Sequence, residues 1–187
     1  MKTVLLIGGK SSRMGSPKHL LKLNNKTFFD LLSETLEQIA PLYISCSQNN
    51  QIPSCSYPVI IDQYASIGPM NGLYSSLSAL NDSILVVPCD HPFITSNHLK
   101  QFITYDDEKI DALILVHQGK AYPTIGLYHP SCIDAMKRSI FENNYRMMHL
   151  LSKLNTKYVE ASKIGLTEIE LANINTPSDY QNIIKAV

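Results

Sequence analysis

The chain has 187 residues, of which 44% are hydrophobic, 17% charged and 8% aromatic. This length and composition predict a single folded domain spanning residues 1–187 and exclude fibrous, collagen-like and disordered chains. Sixteen basic residues balance sixteen acidic ones without a basic tail, so no nucleic-acid partner is expected.

Short apolar runs rich in β-branched residues predict strands, and most have the continuity of strands that are buried on both faces. They are Thr3–Ile7, Leu42–Ser45, Val59–Ile61, Ile84–Val87, Ala112–Val116, Thr124–Leu127 and Lys157–Val159. Apolar stripes with helical spacing predict helices at Phe28–Ile39, Met70–Leu80 and Leu99–Ile103. Thr176, which precedes Pro177, is typical of the capped start of a final helix.

The alternation of strands and helices predicts the fold class. It is an α/β three-layer sandwich in which helices cover both faces of a mainly parallel, Rossmann-like sheet. Ligands of such sheets bind beyond the carboxyl ends of the strands, so the loops that follow those ends form the candidate site. Three of these loops carry residues suited to chemistry.

The first loop follows the first predicted strand and carries paired glycines, hydroxyl groups and cations. Gly8 and Gly9 allow a sharp turn and a close approach to a ligand, and Ser11, Arg13 and Lys18 follow. This combination suits a triphosphate, although the P-loop and dinucleotide-binding glycine patterns do not fit it. A plain surface turn with solvated cations is the alternative.

The second loop begins with Asp62 at the end of Val59–Ile61, and Gly68 and Pro69 then open a predicted helix. A carboxylate at a strand end and amides at a helix start can both touch a bound ligand. A helix start with an incidental aspartate fits the segment equally well when it is judged alone.

The third loop reads P-C-D-H-P and places Asp90 just after Ile84–Val87, between two prolines. One carboxylate suffices for Mg²⁺ when a triphosphate supplies further oxygen ligands. A zinc site is disfavoured because three consecutive residues cannot all face one tetrahedral ion. A turn capped by Asp90 is the structural alternative.

These loops resemble the molybdenum cofactor guanylyltransferases, the MobA family of nucleotidyltransferases. The first is similar to the family pattern L-A-G-G-x-S-x-R-M-G-x-x-K-x-L-L, the second to its acidic residue followed by G-P-L-A-G, and the third to its P-C-D-x-P-[FY]. Ile7 replaces the family alanine, and Met70 and Asn71 depart from the second pattern. The double glycine favours guanylyl over cytidylyl transfer.

The resemblance implies that the N-terminal part of the domain binds the nucleotide. The implied nucleotide-binding residues are Leu6, Ile7, Gly8, Gly9, Ser11, Arg13, Lys18, Asp62, Gly68 and Asp90. Arg13, Lys18 and Asp90 are implied as catalytic residues, and Asp90 as the metal ligand. Further matches at Tyr122–Leu127 and at the N-I-N-T-P segment make the C-terminal part the pterin-substrate side.

The implied pterin contacts are Arg146, Asn173 and Asn175. For the two asparagines, hydrogen bonding to the backbone of a turn explains the pattern equally well. Tyr122 stands where some family members have histidine, which leaves its role open.

The implied reaction transfers GMP from GTP to the terminal phosphate of molybdopterin, with Mg²⁺ as cofactor and pyrophosphate as the second product. GTP and molybdopterin are thus the expected small-molecule partners, with transient contact to molybdenum-cofactor biosynthesis or acceptor proteins. Two alternatives stay open: a CTP-using molybdopterin cytidylyltransferase and a non-catalytic nucleotide- or cofactor-binding module. Turnover with Mg²⁺ separates the second from an enzyme.

The sequence also predicts a cytoplasmic protein without a membrane partner. The N-terminus has no secretory signal pattern, and no apolar run approaches the roughly 20 residues that span a bilayer. The four cysteines, Cys46, Cys55, Cys89 and Cys132, have no C-x-x-C spacing, which predicts reduced thiols in or near the core.

Overall fold

The computed structural model describes residues 1–7, 17–47, 52–65, 67–107, 109–174 and 176–186. The strands in this part of the chain are β1 (Lys2–Leu6), β2 (Lys22–Leu23), β3 (Lys26–Thr27), β4 (Leu42–Cys46), β5 (Val59–Ile61), β6 (Ile84–Pro88), β7 (Ala112–His117), β8 (Lys120–Tyr128) and β9 (Thr156–Glu160). The α-helices are α1 (Phe28–Glu37), α2 (Pro69–Leu80), α3 (Ser96–Ile103), α4 (Ile133–Phe141), α5 (Met147–Leu151) and α6 (Pro177–Ala186).

Seven strands form one sheet in the order β5-β4-β1-β6-β8-β7-β9. β1 pairs in parallel with β4 and β6, β4 with β5, and β7 with β9. β8 runs antiparallel to both of its neighbours, and β2 and β3 form a separate antiparallel hairpin. The predicted mainly parallel sheet is therefore confirmed.

Helices cover both faces of this sheet, as predicted. One apolar layer lies between the strands and α1 and α3, and the other lies between the strands and α2, α4 and α5. Successive side chains of a strand point to opposite faces, so Leu5 of β1 packs in the first layer while Val4 and Leu6 pack in the second. The three-layer sandwich follows from this alternation.

All seven predicted strands are present, but burial on both faces fails at the edges of the sheet. β5 leaves Val59 and Ile61 exposed, and β9 leaves Tyr158 exposed. An edge strand has a neighbour on one side only, so part of its apolar surface stays in solvent.

The four predicted helices are also present. At the start of α6, the Asp179 N–H donates to Thr176 Oγ1 at 3.1 Å and Asp179 Oδ2 accepts from the Thr176 N–H at 2.8 Å, which is the predicted cap. No helix in the described part of the chain is long and apolar enough to cross a bilayer. Cys46, Cys89 and Cys132 are buried free thiols and Cys55 is a half-buried one, as predicted.

The carboxyl ends of β1, β4, β5 and β6 lie at one edge of the sheet, here called the carboxyl edge. Pairing continues for one residue beyond the strands at this edge. The Cys89 N–H donates to Leu6 O at 3.0 Å, and the Asp62 N–H donates to Cys46 O at 2.9 Å. These bonds fix the start of the third loop next to the end of β1 and the start of the second loop next to the end of β4.

Candidate functional site

The first and third loops meet in an ion pair. Lys18 Nζ lies 3.3 Å from Asp90 Oδ2, and the two side chains are 18% and 22% exposed. Lys18 begins a short helical turn after Pro17, and Asp90 stands two residues beyond the end of β6. Two residues that are far apart in sequence and were both predicted as catalytic are thus in direct contact at the carboxyl edge.

His91 borders this ion pair from the protein interior. It is 2% exposed, and its Nε2 lies 3.8 Å from Asp90 Oδ1. Burial lowers the pKa of His91; the charge of Asp90 opposes this effect, and the charges of Lys120 and Lys18 add to it. The imidazole is therefore neutral near pH 7, and the negative charge of Asp90 is balanced by Lys18.

Asp62 lies on the other side of β1, where α2 approaches the sheet. Ser45 Oγ donates to Asp62 Oδ1 at 3.3 Å. A Cβ atom at Gly72 would lie 2.7 Å from Ser45 Oγ and 3.0 Å from Leu6 Cδ2, so this approach of helix to strand requires glycine. Burial raises the pKa of Asp62, and the hydrogen bond from Ser45 offsets part of that rise.

Asn71, which departs from the family pattern, shapes the second loop. Its buried Oδ1 accepts from the Tyr64 N–H at 3.1 Å, and its Nδ2 donates to the carbonyl oxygen of Tyr64. Ser75 Oγ accepts from the Gln63 N–H at 2.9 Å. Gly68, with φ of 73°, then caps the start of α2. The asparagine therefore ties this loop to the first turns of α2.

The predicted pterin segment reaches the third loop. The Ile174 N–H donates to the carbonyl oxygen of Asp90 at 3.3 Å. Asn173 Oδ1 is buried and has no hydrogen-bond partner among the described residues. A buried amide oxygen without a donor is suited to accept one from a ligand.

The other predicted residues lie away from this ion pair, in the core, or outside the described ranges. Arg146 is exposed at the start of α5, where its N–H donates to Asn144 Oδ1 at 3.4 Å, and no described contact joins it to Lys18 or Asp90. The side chains of Leu6 and Ile7 are buried in the two core layers, so a contact to nucleotide from them would use the main chain. Outside the described residues lie Gly8, Gly9, Ser11, Arg13 and Asn175.

The hairpin of β7 and β8 carries Tyr122, whose role the sequence patterns left open, and Lys120, which they did not assign to the site. The rings of Tyr122 and His91 meet edge to face, with centroids 5.8 Å apart. Lys120 Nζ lies 5.0 Å from the centroid of the Tyr122 ring. The signal for this hairpin was Gln118-Gly119 between two apolar runs, and residues 120 and 122 share one strand face.

The donor chemistry of this region fits a magnesium ion and does not fit zinc. Within the described residues, no group of three or more His, Cys, Asp or Glu side chains is placed to hold a metal ion. Asp90 offers one carboxylate, whose described neighbours are Lys18 and His91. Mg²⁺ accepts one protein carboxylate when phosphates and waters fill its other positions, whereas a structural zinc ion requires four protein ligands.

Comparisons with known proteins identify the family of this chain. A family model described as the MobA-like NTP transferase domain matches residues 3–158. A probable molybdenum cofactor guanylyltransferase from a Geobacillus species is 31% identical, with 98% of each chain covered. Another, from Carboxydothermus hydrogenoformans, is 27% identical over 99% of this chain and 95% of the relative.

Among solved structures, the chain is similar to molybdopterin-guanine dinucleotide biosynthesis protein A from Archaeoglobus fulgidus. The TM-score is 0.86 at 24% sequence identity, over 100% of this chain and 98% of the other. At this identity the likeness shows a shared fold.

Proposed function

This chain belongs to the MobA-like NTP transferase domain family, and on that premise we propose that it transfers GMP from GTP to the terminal phosphate of molybdopterin. The products are pyrophosphate and the guanine dinucleotide form of molybdopterin. The observation that carries the proposal is the contact of Lys18 with Asp90 at the carboxyl edge. The name shared by the curated relatives supports the choice of substrates.

The proposed reaction needs no general base. An oxygen of the acceptor phosphate forms a bond to the α-phosphorus of GTP, and the bond from that phosphorus to the bridging oxygen of the β-phosphate breaks. A phosphate monoester has a second pKa of about 6, so the acceptor is already ionised at neutral pH. The task of the protein is to align two anions and to offset their charge.

Lys18 and Asp90 divide that task. Lys18 places an ammonium group near the triphosphate, and its contact with Asp90 holds the flexible side chain in position. Asp90 would hold Mg²⁺ together with phosphate oxygens and water. When bound, the ion supplies positive charge that offsets the charge of the phosphates. The half-buried position of both side chains strengthens these electrostatic effects relative to bulk water.

The remaining contacts follow the two sides of the molecule. On the nucleotide side, the Asp62 carboxylate accepts hydrogen bonds from the nucleoside, and the N-terminus of α2 at Gly68 faces the nucleoside. Arg13 and the double glycine bind the phosphates. On the pterin side, Asn173 offers its unpartnered oxygen, and Asn175 and Arg146 complete the contacts. The hydrogen bond from Ile174 to Asp90 supports a shared site, since it places the proposed pterin segment beside the third loop.

The decisive experiment supplies Mg²⁺, molybdopterin and one nucleoside triphosphate at a time, and measures pyrophosphate and dinucleotide product. Product from GTP, with equimolar pyrophosphate, is the expected result. Product from CTP alone would make the chain a cytidylyltransferase. Binding of nucleotide without turnover would make it a non-catalytic carrier.

A further inference from the structure

We propose that Lys120, on the hairpin of β7 and β8, binds the phosphate of the acceptor substrate. The inference rests on the proposed function, because it identifies which residue holds the acceptor in that reaction. It makes the hairpin a part of the site that faces the acceptor.

The tip of the hairpin is rigid. Gln118 and Gly119 form its two-residue turn with φ of 49° and 77°, which is the conformation that matches the twist of paired strands. The Gln118 N–H donates to Glu160 Oε1 at 2.9 Å, so the tip is also fastened to the end of β9. The main chain that carries Lys120, the first residue of β8, is therefore fixed at both ends of the turn.

A bulge in β8 shifts the register of the hairpin between Gly126 and Tyr122. Ile114 pairs with Gly126, but the next residue of β7, Leu115, pairs with Tyr122, so residues 123–125 are extra. Tyr128 Oη donates to Pro123 O at 2.5 Å and fixes the bulge. Bulges commonly re-aim side chains beside functional sites.

Two ring contacts connect Lys120 to the third loop. Tyr122 packs edge to face with His91, which is adjacent to Asp90. Lys120 Nζ lies above the Tyr122 ring at 5.0 Å. The charge of Lys120 acts on the His91 imidazole, as does that of Lys18. Lys120 is thus connected to His91 through the Tyr122 ring, and Lys18 is connected to it through Asp90.

The two cations differ in their charge balance. Lys18 pairs with Asp90, whereas no ion pair joins Lys120 to a carboxylate within the described ranges. An aromatic ring attracts an ammonium group but leaves its N–H donors available for phosphate oxygens. The acceptor phosphate must approach a polyanionic triphosphate, and Lys120 supplies positive charge for that approach.

The test measures equilibrium binding of molybdopterin, without GTP, to the wild type and to four variants. Lys120→Ala should lower the affinity about tenfold or more, the scale of one hydrogen bond to a charged group. Lys120→Arg and Tyr122→Phe should stay near wild type, because they keep the charge and the ring. Lys100→Ala, which removes an exposed lysine from α3, is the matched control.

GTP affinity and thermal melting of each variant complete the design. An unchanged molybdopterin affinity in Lys120→Ala, or an equal loss of GTP affinity, overturns the assignment. If the wild type binds molybdopterin but makes no dinucleotide, the proposed function fails, while a loss confined to Lys120→Ala still supports Lys120 as the acceptor contact. If the wild type does not bind molybdopterin, both fail.

Discussion

The charge of Asp90 is held between a cation and a neutral ring. Lys18 Nζ lies 3.3 Å from one carboxylate oxygen, and the buried His91 ring lies 3.8 Å from the other. Because burial lowers the pKa of His91, the ring does not compete with a metal ion for the carboxylate charge. Lys18 is thus the one cation in contact with this carboxylate within the described residues, and the proposed Mg²⁺ would be a second.

Replacement of Asp90 by asparagine should lower turnover by about 10²-fold or more, the scale seen when one preorganised charge-stabilising group is lost. Asparagine has nearly the same shape, so the melting temperature should change little. The measurement is the rate of GMP transfer, with Asp134→Asn on α4 as the exposed control. Near-normal turnover in Asp90→Asn would contradict its assignment.

Lys18→Ala should weaken GTP binding more than it lowers thermal stability. The lysine supplies charge to the triphosphate, while its replacement removes an ion pair in which both side chains keep partial contact with solvent. GTP affinity and melting temperature are measured together, with Lys22→Ala, an exposed lysine four residues away, as the control. A collapse of the melting temperature with unchanged GTP affinity would make Lys18 a structural residue.

Asp62 is predicted to cost stability at neutral pH. Its pKa is raised in the folded state, so the fold favours the protonated form and the ionised carboxylate is destabilising above that pKa. Asp62→Asn should therefore raise the free energy of unfolding at pH 7, and the gain should disappear as the pH falls below the ordinary aspartate pKa of about 3.9.

Urea unfolding at a series of pH values checks this prediction, and GTP affinity should fall in the same variant. A wild type more stable than Asp62→Asn at pH 7 would mean that the hydrogen bond from Ser45 outweighs the burial of charge.

At the scale of elements, the close packing of α2 against β1 and β4 depends on Gly72. Alanine at this position would place Cβ 2.7 Å from Ser45 Oγ and 3.0 Å from Leu6 Cδ2. We expect Gly72→Ala to destabilise the fold by about 1–3 kcal/mol, the usual cost of overpacking. The double variant with Ser45→Ala should recover part of the loss, since one of the two close contacts is relieved.

Urea unfolding is measured for both single variants and for the double variant. This double-mutant cycle gives the coupling free energy between residues 45 and 72. If the losses in the free energy of unfolding are additive, α2 shifts away from Ser45 and does not contact it closely.

The sequence predicts an element correctly when its apolar pattern and its capping signals indicate the same bounds. α1 has an apolar stripe and a capping box, in which the Asp30 N–H donates to Thr27 Oγ1 at 3.0 Å. α4 was not predicted, although Met136 and Ile140 lie on one apolar face, because its start has no side-chain cap. α5 has only five residues, which is too short for a periodic pattern.

From the sequence, the only site residues that could be predicted are those in the loops that follow strand ends. Asp62 and Asp90 follow β5 and β6 within two residues, and Lys18 lies farther along the chain after β1, so the rule for parallel sheets predicts all three at one edge. Ser45, Lys120 and Tyr122 lie within strands and reach the site through register and a bulge. Register depends on contacts between distant segments, which local sequence patterns do not encode.

At the scale of the whole molecule, α6 is bonded to β2, which follows Lys18 in the chain. Tyr180 Oη donates to Lys22 O at 2.5 Å, and its ring packs edge-on against Phe28. Together with the bond from Ile174 to Asp90, this contact joins the proposed pterin side to the proposed nucleotide side. Both substrates would therefore meet on one connected surface at the carboxyl edge.

The most direct test of this account follows a radioactive label from the α-phosphate of GTP in a single turnover with molybdopterin. With the wild type and Mg²⁺, the label should appear in the dinucleotide, and unlabelled pyrophosphate should be released. Removal of Mg²⁺ by a chelator should stop the transfer. Label that stays in GTP, or that reaches the product equally well without Mg²⁺, would contradict the assignment of this edge as a magnesium-dependent guanylyl transfer site.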